Sequence, residues 1–336
     1  MHNRILTPHK YVLLISLCMI FYTSYAQVDS SKFLNPFLTP AREYNSKRFG
    51  LVLGTEAVLY TGATIALYHY WYKNYPQSAF HFFNDDGEWL QQDKMGHMYT
   101  AYFETNLTTA MYRWTGMKKE NAYWAGFATA SLFQLTIEVF DGFSAEWGFS
   151  WGDFAANTFG AGLATGQNFL WDEQRIRLKF SQHFVDYSSY PLEVQDRAAF
   201  LYGSSGPEKV IKDYNGLTTW LSVNPSMFMK EDNHFPKWLM FSAGYGADGI
   251  FGGYENIWCS NTDIKYENCP DDLLIDYSSI PRTRQYYLSF DVDLTAFKGK
   301  SPFWNMVLEI ASILKFPAPA IEFNQGGNTK WYWLYF

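Results

Sequence analysis

The sequence of 336 residues has few cysteines, few charged residues and no excess of positive charge. With only three cysteines and no CxxC pair, it cannot build a zinc site from thiolates alone. Charged residues make up 18% and the formal net charge is -7, which argues against nucleic acid as a partner. The HExxH signature of zinc proteases is also missing. Known motifs therefore do not settle the chemistry of this protein.

The sequence is rich in apolar and aromatic residues. Hydrophobic residues account for 48% and aromatic residues for 20%, which excludes a disordered chain. The mean hydropathy of -0.23 argues against a polytopic inner-membrane protein. At roughly 150 residues per domain, the length predicts about two domains.

The first 26 residues predict a secretory signal peptide. Arg4 and Lys10 form a positive region, an apolar stretch follows, and Ser24-Tyr25-Ala26 is a small-x-small cleavage site. A retained anchor helix is the alternative, but the apolar stretch is short. Leu17 precedes Cys18 where a lipoprotein signal requires a small residue, so we do not predict lipid attachment there. Export to the cell envelope is the expectation.

Two cysteines remain after removal of the signal. Cys259 and Cys269 lie in a polar, acidic loop of about thirty residues, and an exported chain permits oxidation. We predict that they form a disulfide, with two free thiols as the alternative. The loop acids do not follow the EF-hand spacing, which favours a solvated surface over a calcium site.

The first half of the chain, residues 27–175, has helical periodicity. Its four apolar stretches are Gly50–Tyr72, Gly96–Trp114, Ala122–Phe140 and Trp151–Trp171. Polar residues interrupt all of them, so we favour a buried helical bundle over transmembrane helices. Gly162 and Gly166 have the GxxxG spacing that lets two helices approach closely.

The second half, residues 176–336, changes to a period of two. Between Tyr286 and Thr295 apolar and mostly polar residues alternate, which predicts a strand with two different faces. The chain ends in alternating aromatics from Trp331 to Phe336, and this segment resembles the last strand of outer-membrane β-barrels. The predicted fold class is α+β: an N-terminal helical bundle followed by an antiparallel β-sheet or a small outer-membrane-type β-barrel. About five segments have a clear strand pattern, so both the sheet and the barrel remain as alternatives.

Three helical stretches carry polar residues one turn apart. Residues at i and i+4 share a helix face, so three inward faces would form one polar cluster in the bundle. Its candidate catalytic residues are His97, Glu138 and Asp153. The other members of the predicted cluster are Asp93, Lys94, Gln134, Asp141 and Asn157.

These residues resemble a known family. The pattern Asp93-Lys94-x-Gly-His97, an apolar helix ending in Glu138, and Ser150-x-x-Asp153-x-x-x-Asn157 is similar to the YfiM-type predicted periplasmic lipoproteins, a family of unknown function. The layout also resembles VanZ-like proteins. The resemblance covers under a quarter of the chain and implies an envelope location, with no activity to transfer.

Two functions follow as hypotheses. The first is a non-enzymatic cell-envelope protein at the outer membrane, whose bundle contacts lipid or envelope proteins and whose polar cluster is structural. The alternative is a hydrolase or transferase acting on envelope lipid or cell-wall material, with His97 as general base or with a divalent metal as cofactor. The candidate metal ligands are His97, Glu138, Asp141 and Asp153.

Overall fold

The structure is a computed structural model that describes residues 38–73, 76–204, 206–230, 232–261, 264 and 268–336. The predicted signal peptide lies outside the described residues. The fold class is α+β, as predicted, with a helical region followed by an antiparallel sheet.

The first part consists of four long helices. They are α1 (Ser46–Leu67, continued by a π-helical turn to Tyr72), α2 (Gln92–Trp114), α3 (Lys119–Gly142) and α4 (Trp151–Trp171). Each coincides with one of the four predicted apolar stretches. Helix α2 packs against both α3 and α4, whereas α1 makes few contacts with the others.

Capping residues explain two of these helix boundaries. Ser150 precedes α4, and its Oγ accepts a hydrogen bond from the backbone N of Asp153 at 3.1 Å. Gly116 follows α2 with φ of +81°, a conformation that glycine adopts without steric cost. The chain then turns directly into α3.

A glycine also permits the close approach of α2 and α4, but it is not in the predicted GxxxG pair. A Cβ at Gly160 would lie 2.0 Å from the carbonyl oxygen of Met98 on α2. At Gly162 and Gly166 a Cβ would meet nothing within 4 Å. The prediction that the GxxxG pair mediates helix contact is therefore wrong, because both glycines point away from neighbouring helices.

The second part contains a six-stranded antiparallel sheet. The elements follow in the order β1 (Ile176–Gln182), α5 (Leu192–Tyr202), α6 (Gly206–Lys212), β2 (Leu217–Val223), β3 (Leu239–Asp248), β4 (Ile257–Cys259), β5 (Leu274–Asp276), β6 (Thr283–Val292), α7 (Pro302–Ala311), β7 (Ala318–Asn324) and β8 (Thr329–Tyr335). The sheet order is β1-β2-β3-β6-β7-β8, and β4 pairs with β5 in a separate hairpin.

Of the two predicted forms, the described residues adopt the open sheet. The outer edges belong to β1 and β8. The edge of β1 that does not face β2 forms two hydrogen bonds with the segment before β7. Phe180 N donates to Ile313 O at 3.1 Å, and Lys315 N donates to Phe180 O at 2.9 Å. The sheet is therefore curled, and β1 lies close to the segment that leads into β7.

The sheet buries charged groups beside an aromatic cluster that includes Trp220 and Tyr287, and it exposes apolar side chains on its other face. On its inner face Lys179 and Asp291 form a fully buried ion pair at 2.9 Å. On its outer face Leu288 is 55% exposed, between the exposed rings of Tyr286 and Phe290. The predicted alternation in β6 is confirmed, and the polar row is the one that faces inward.

The disulfide prediction is confirmed. Cys259 and Cys269 are bonded, with their Cα atoms 5.6 Å apart. Cys259 ends β4, so the predicted long loop contains the β4–β5 hairpin.

Apolar exposure extends to the helices. Large apolar side chains are exposed on α1, α3 and α4, among them Val58, Trp124, Leu132, Phe159 and Leu170. Among the described residues one helix, α1, is long and apolar enough to cross a membrane by length and composition, and only 6% of its span is buried. The expected burial of apolar helix faces therefore holds only in part.

The Gly160 contact generates the first prediction. The Gly160→Ala substitution should lower the free energy of unfolding by about 1–3 kcal/mol, because its Cβ overlaps the α2 backbone. The Gly162→Ala substitution is the matched control and should raise stability slightly, by about 0.5–1 kcal/mol, since alanine favours an exposed helix position. Urea unfolding followed by circular dichroism measures both. Equal effects of the two substitutions would contradict the close contact of Gly160 with α2.

Candidate polar site in the helical bundle

The candidate site lies where three helix ends meet. Asp93 and His97 are on the first turns of α2, and Asp153 and Asn157 are on the first turns of α4. Glu138 is one turn before the end of the antiparallel α3. The predicted convergence of three polar helix faces is therefore present for these five residues.

The imidazole of His97 is the centre of this cluster. Its Nδ1 lies 3.2 Å from Oδ1 of Asn157 and 3.5 Å from Oε1 of Glu138. Its Nε2 lies 3.8 Å from Oδ2 of Asp93. Asn157 also donates from Nδ2 to Glu138 Oε1 at 3.2 Å, so the amide and the carboxylate together orient the ring.

Lys94 ties the same helix to the start of α4. Its Nζ lies 2.7 Å from Oδ1 of Asp85 and 3.1 Å from Oδ1 of Asp153. The Oγ of Ser150, the cap of α4, donates to Asp85 Oδ1 at 2.5 Å. Lys94, Asp85 and Asp153 are all largely buried, so the contacts of the lysine with the two aspartates are shielded from water.

The cluster holds more acids than cations, and burial of the acids shifts their titration. Burial is the main cause that raises the pKa of Glu138 and of Asp141 to about 7 and that of Asp153 to about 8. For His97, burial alone would lower the pKa, but the surrounding carboxylates, above all Asp93, outweigh burial and raise it to about 9. Near neutral pH the site thus retains protons that exposed carboxyl groups would release.

The strand-rich part holds the start of α2 in place. Tyr214, just before β2, donates its hydroxyl to Asp93 Oδ1 at 2.8 Å. The residues Trp89, Leu90 and Gln91 are all left-handed, with φ of 49°, 51° and 63°, a costly conformation for non-glycine residues. Partners from the sheet side hold them: Gly253 O accepts from Trp89 N, Tyr245 donates to Leu90 O, and Arg284 donates to Gln91 Oε1.

Two predicted members of the cluster point elsewhere. Gln134 donates from Nε2 to Oε2 of Glu104 at 2.9 Å, one or two turns away along the helices. Asp141 accepts a hydrogen bond from the Tyr72 hydroxyl at 2.8 Å. These two residues flank the His97 centre without bonding to it.

Two residues of the site were missed by the sequence reasoning: Asp85 and Tyr214. Asp85 lies in the loop before α2 and Tyr214 lies in the strand-rich part, so helical spacing could not reveal them. Ser150 belongs to the predicted motif. Ser150 lies at the centre of a Gly-x-Ser-x-Gly spacing, Gly148 to Gly152, that is found around serine nucleophiles. Here the serine is buried and caps α4, which is a structural role.

The comparisons with known proteins give a family match for part of the chain. Residues 81–168, about a quarter of the chain, match the family model described as predicted periplasmic lipoprotein (DUF2279). The match spans the polar residues from Asp85 to Asn157. It supports the predicted similarity to a periplasmic family of unknown function. No curated protein and no solved structure matches the chain. The closer resemblance to YfiM and to VanZ-like proteins stays a prediction.

The buried ion pair generates the second prediction. The Lys94→Met substitution leaves Asp85 and Asp153 buried without their cation and should lower the free energy of unfolding by about 3–5 kcal/mol. Lys119→Met is the matched control, because Lys119 pairs with Asp172 at an exposed position and should cost less than about 1 kcal/mol. Urea denaturation measures both. Similar small losses would show that the buried pair is not a stabilising element.

The pair of Glu104 and Gln134 generates a pH prediction. Burial raises the pKa of Glu104 from 4.5 to about 7 in the folded protein. In the unfolded chain the carboxyl group loses its proton near pH 4.5, whereas in the folded protein it keeps the proton up to about pH 7. The free energy of unfolding therefore falls as the pH rises from 4.5 to 7, and the full loss is present above pH 7. Glu104→Gln should therefore stabilise the protein by about 3 kcal/mol at pH 8 but hardly at pH 4.

Urea unfolding of both proteins at several pH values measures this difference. A stability gain that is the same at pH 4 and pH 8 would show that Glu104 is not buried in its charged form.

Proposed function

We propose that this protein is a non-enzymatic protein of the cell envelope, held at the outer membrane by the outer face of its curled sheet. The observation that carries this proposal is the exposed apolar outer face of the sheet, opposite an inner face that buries charged groups. Strands that face lipid on one side and a polar interior on the other alternate in this way.

The apolar outer face is continuous across five strands. The strand register places side by side Leu221 on β2, Ala243 on β3, Leu288 on β6, Ile321 on β7 and Trp331 on β8. A second row joins Phe241 and Phe290, whose ring centroids are 5.5 Å apart. A contiguous exposed apolar surface of this kind marks an interaction surface, since monomeric soluble proteins rarely expose one.

The inner face supports the same assignment. Besides the pair of Lys179 and Asp291, Glu322 is fully buried and accepts a hydrogen bond from Tyr332 at 2.6 Å. Ser222 donates to Asp291 at 2.8 Å. Polar groups are expensive to bury and are paired here inside the curl of the sheet, while the apolar side chains of the outer face are left to contact something outside the protein.

Two further surfaces fit contact with lipid. Trp333 on the last strand is 78% exposed, and aromatic side chains are enriched where proteins meet the membrane surface. Helix α1 exposes a row of apolar residues with little packing against the rest of the bundle. We infer that α1 and the sheet face contact the same membrane and that the bundle offers its remaining apolar surface to lipid or to envelope proteins.

The family match supports the location. The match to predicted periplasmic lipoproteins agrees with an exported protein. Because Leu17 stands before Cys18, we propose attachment through the protein surface instead of through a lipid on this cysteine.

The arrangement of the polar cluster favours a structural over a catalytic role. A wide cleft of about 1470 Å³ lies between α2, β1 and α7, and none of the residues of the His97 cluster lines it. The polar groups of the cluster bond mainly to one another, which fixes the packing of α2 against α3 and α4. The hydrolase or transferase hypothesis therefore has the weaker support.

Envelope fractionation tests the proposal. After expression of the full chain in a Gram-negative bacterium, outer membranes are washed with high salt and with carbonate. We expect the protein to stay in the membrane fraction after both washes. Release by carbonate would overturn the anchoring role of the sheet.

Matched substitutions locate the anchor. Leu288→Arg places a charge on the proposed lipid face, at a cost of about 2–4 kcal/mol if the residue is deep in the membrane, and should release the protein. Leu192→Arg on α5 changes an equally apolar residue that is 72% exposed but lies outside the sheet, and should leave retention unchanged. Equal behaviour of the two variants would contradict the proposed face.

A further inference from the structure

We propose that Asp93, His97 and Asp153 bind a divalent transition-metal ion, which joins α2 to the start of α4. Each residue offers one ligand atom, and the three atoms lie within 4.8 Å of one another. Among the described residues this is the group of His, Cys, Asp and Glu side chains with the spacing of a metal site. The inference is independent of the proposed function.

The donor set indicates the class of metal. One imidazole nitrogen and two carboxylate oxygens suit zinc or manganese, whereas magnesium and calcium prefer oxygen ligands only. Three protein ligands leave at least one position for water or for a further ligand.

Each proposed ligand side chain also contacts a neighbouring polar side chain, and such contacts orient metal-binding residues. The Nδ1 atom of His97 faces Asn157 and Glu138, which leaves Nε2 as the ligand atom. Nε2 faces Oδ2 of Asp93 at 3.8 Å, a distance too long for a hydrogen bond. A metal ion that binds both atoms would replace this long contact.

The two carboxylates are oriented in the same manner. Tyr214 donates to Oδ1 of Asp93, and Lys94 contacts Oδ1 of Asp153. These contacts to Oδ1 hold the two carboxylates in place, and each carboxylate offers one oxygen to the site. The three side chains are thus positioned from outside by Tyr214, Lys94 and the pair of Asn157 and Glu138.

The cluster holds more carboxyl groups than cationic side chains. Around His97 lie Lys94 and the carboxyl groups of Asp85, Asp93, Glu138, Asp141 and Asp153. A divalent cation would compensate the charge of those carboxyl groups that lose a proton when they bind it. Of the four ligands predicted from the sequence, Glu138 contacts Nδ1, the ring nitrogen that does not face the site, and Asp141 contacts Tyr72. The proposed ligand set therefore contains Asp93 in place of Glu138 and Asp141.

Metal binding to the purified full chain tests the inference. The protein is stripped with a chelator in detergent and titrated with Zn²⁺ and with Mn²⁺ by calorimetry. We expect one ion per chain, and Co²⁺ in place of Zn²⁺ should give a visible absorption spectrum of nitrogen and oxygen coordination. Absence of Zn²⁺, Mn²⁺ and Co²⁺ binding to folded protein would overturn the inference.

Variants assign the ligands. Asp93→Asn and His97→Gln should each weaken binding by at least about 100-fold, and Tyr214→Phe by about 10–100-fold through its effect on Asp93. Asp141→Asn is the matched control, a neighbouring buried acid outside the ligand set, and should retain the affinity of the wild type. Circular dichroism checks that each variant is folded.

An affinity loss in Asp141→Asn equal to that in Asp93→Asn would indicate general electrostatic attraction and would overturn the ligand assignment. Should Asp93→Asn fail to fold, the Tyr214→Phe affinity and the Co²⁺ spectrum decide the same question. Binding of Ca²⁺ or Mg²⁺ in preference to Zn²⁺ and Mn²⁺ would also contradict the proposed donor set.

Discussion

A polar group removed from water must find a partner within the protein, and this constraint shapes both parts of the chain. In the sheet the ammonium group of Lys179 is buried against Asp291. In the bundle Lys94 is buried between Asp85 and Asp153. The pairs of Lys179 with Asp291 and of Lys94 with Asp153 join elements that are far apart in sequence, so the polar partners determine which elements can pack together. Many large apolar side chains, in contrast, lie on the outside.

The junction between the two parts depends on the same constraint. Tyr214 reaches from the strand-rich part to Asp93, and sheet residues hold the left-handed segment from Trp89 to Gln91. Each left-handed residue is unfavourable by itself and persists only because its surroundings hold it. The first turn of α2, which carries Asp93, Lys94 and His97, is therefore positioned by both parts of the protein. A site of this kind forms only in the complete fold.

The envelope location and the proposed metal ion fit one architecture. A surface that contacts lipid cannot contribute an apolar core, so a bundle with small and polar helix interfaces needs another source of stability. The close approach of α2 and α4 at Gly160 and the bonded cluster around His97 provide it. A metal ion between Asp93 and Asp153 would strengthen the same contact, because it binds side chains from both helices.

The sequence alone determined the fold class, the four helices, the main strands and the disulfide, because periodicity and capping are local properties of the chain. It did not reveal β7, since Pro317 and Pro319 mask the start of that strand. The alternation in β6 showed two unlike faces, but only the tertiary structure decided that the polar face is inside. Likewise, helical spacing predicted Asp93, His97, Glu138, Asp153 and Asn157, whereas Asp85 and Tyr214 lie outside the helices and join them through tertiary packing, which has no local sequence signal.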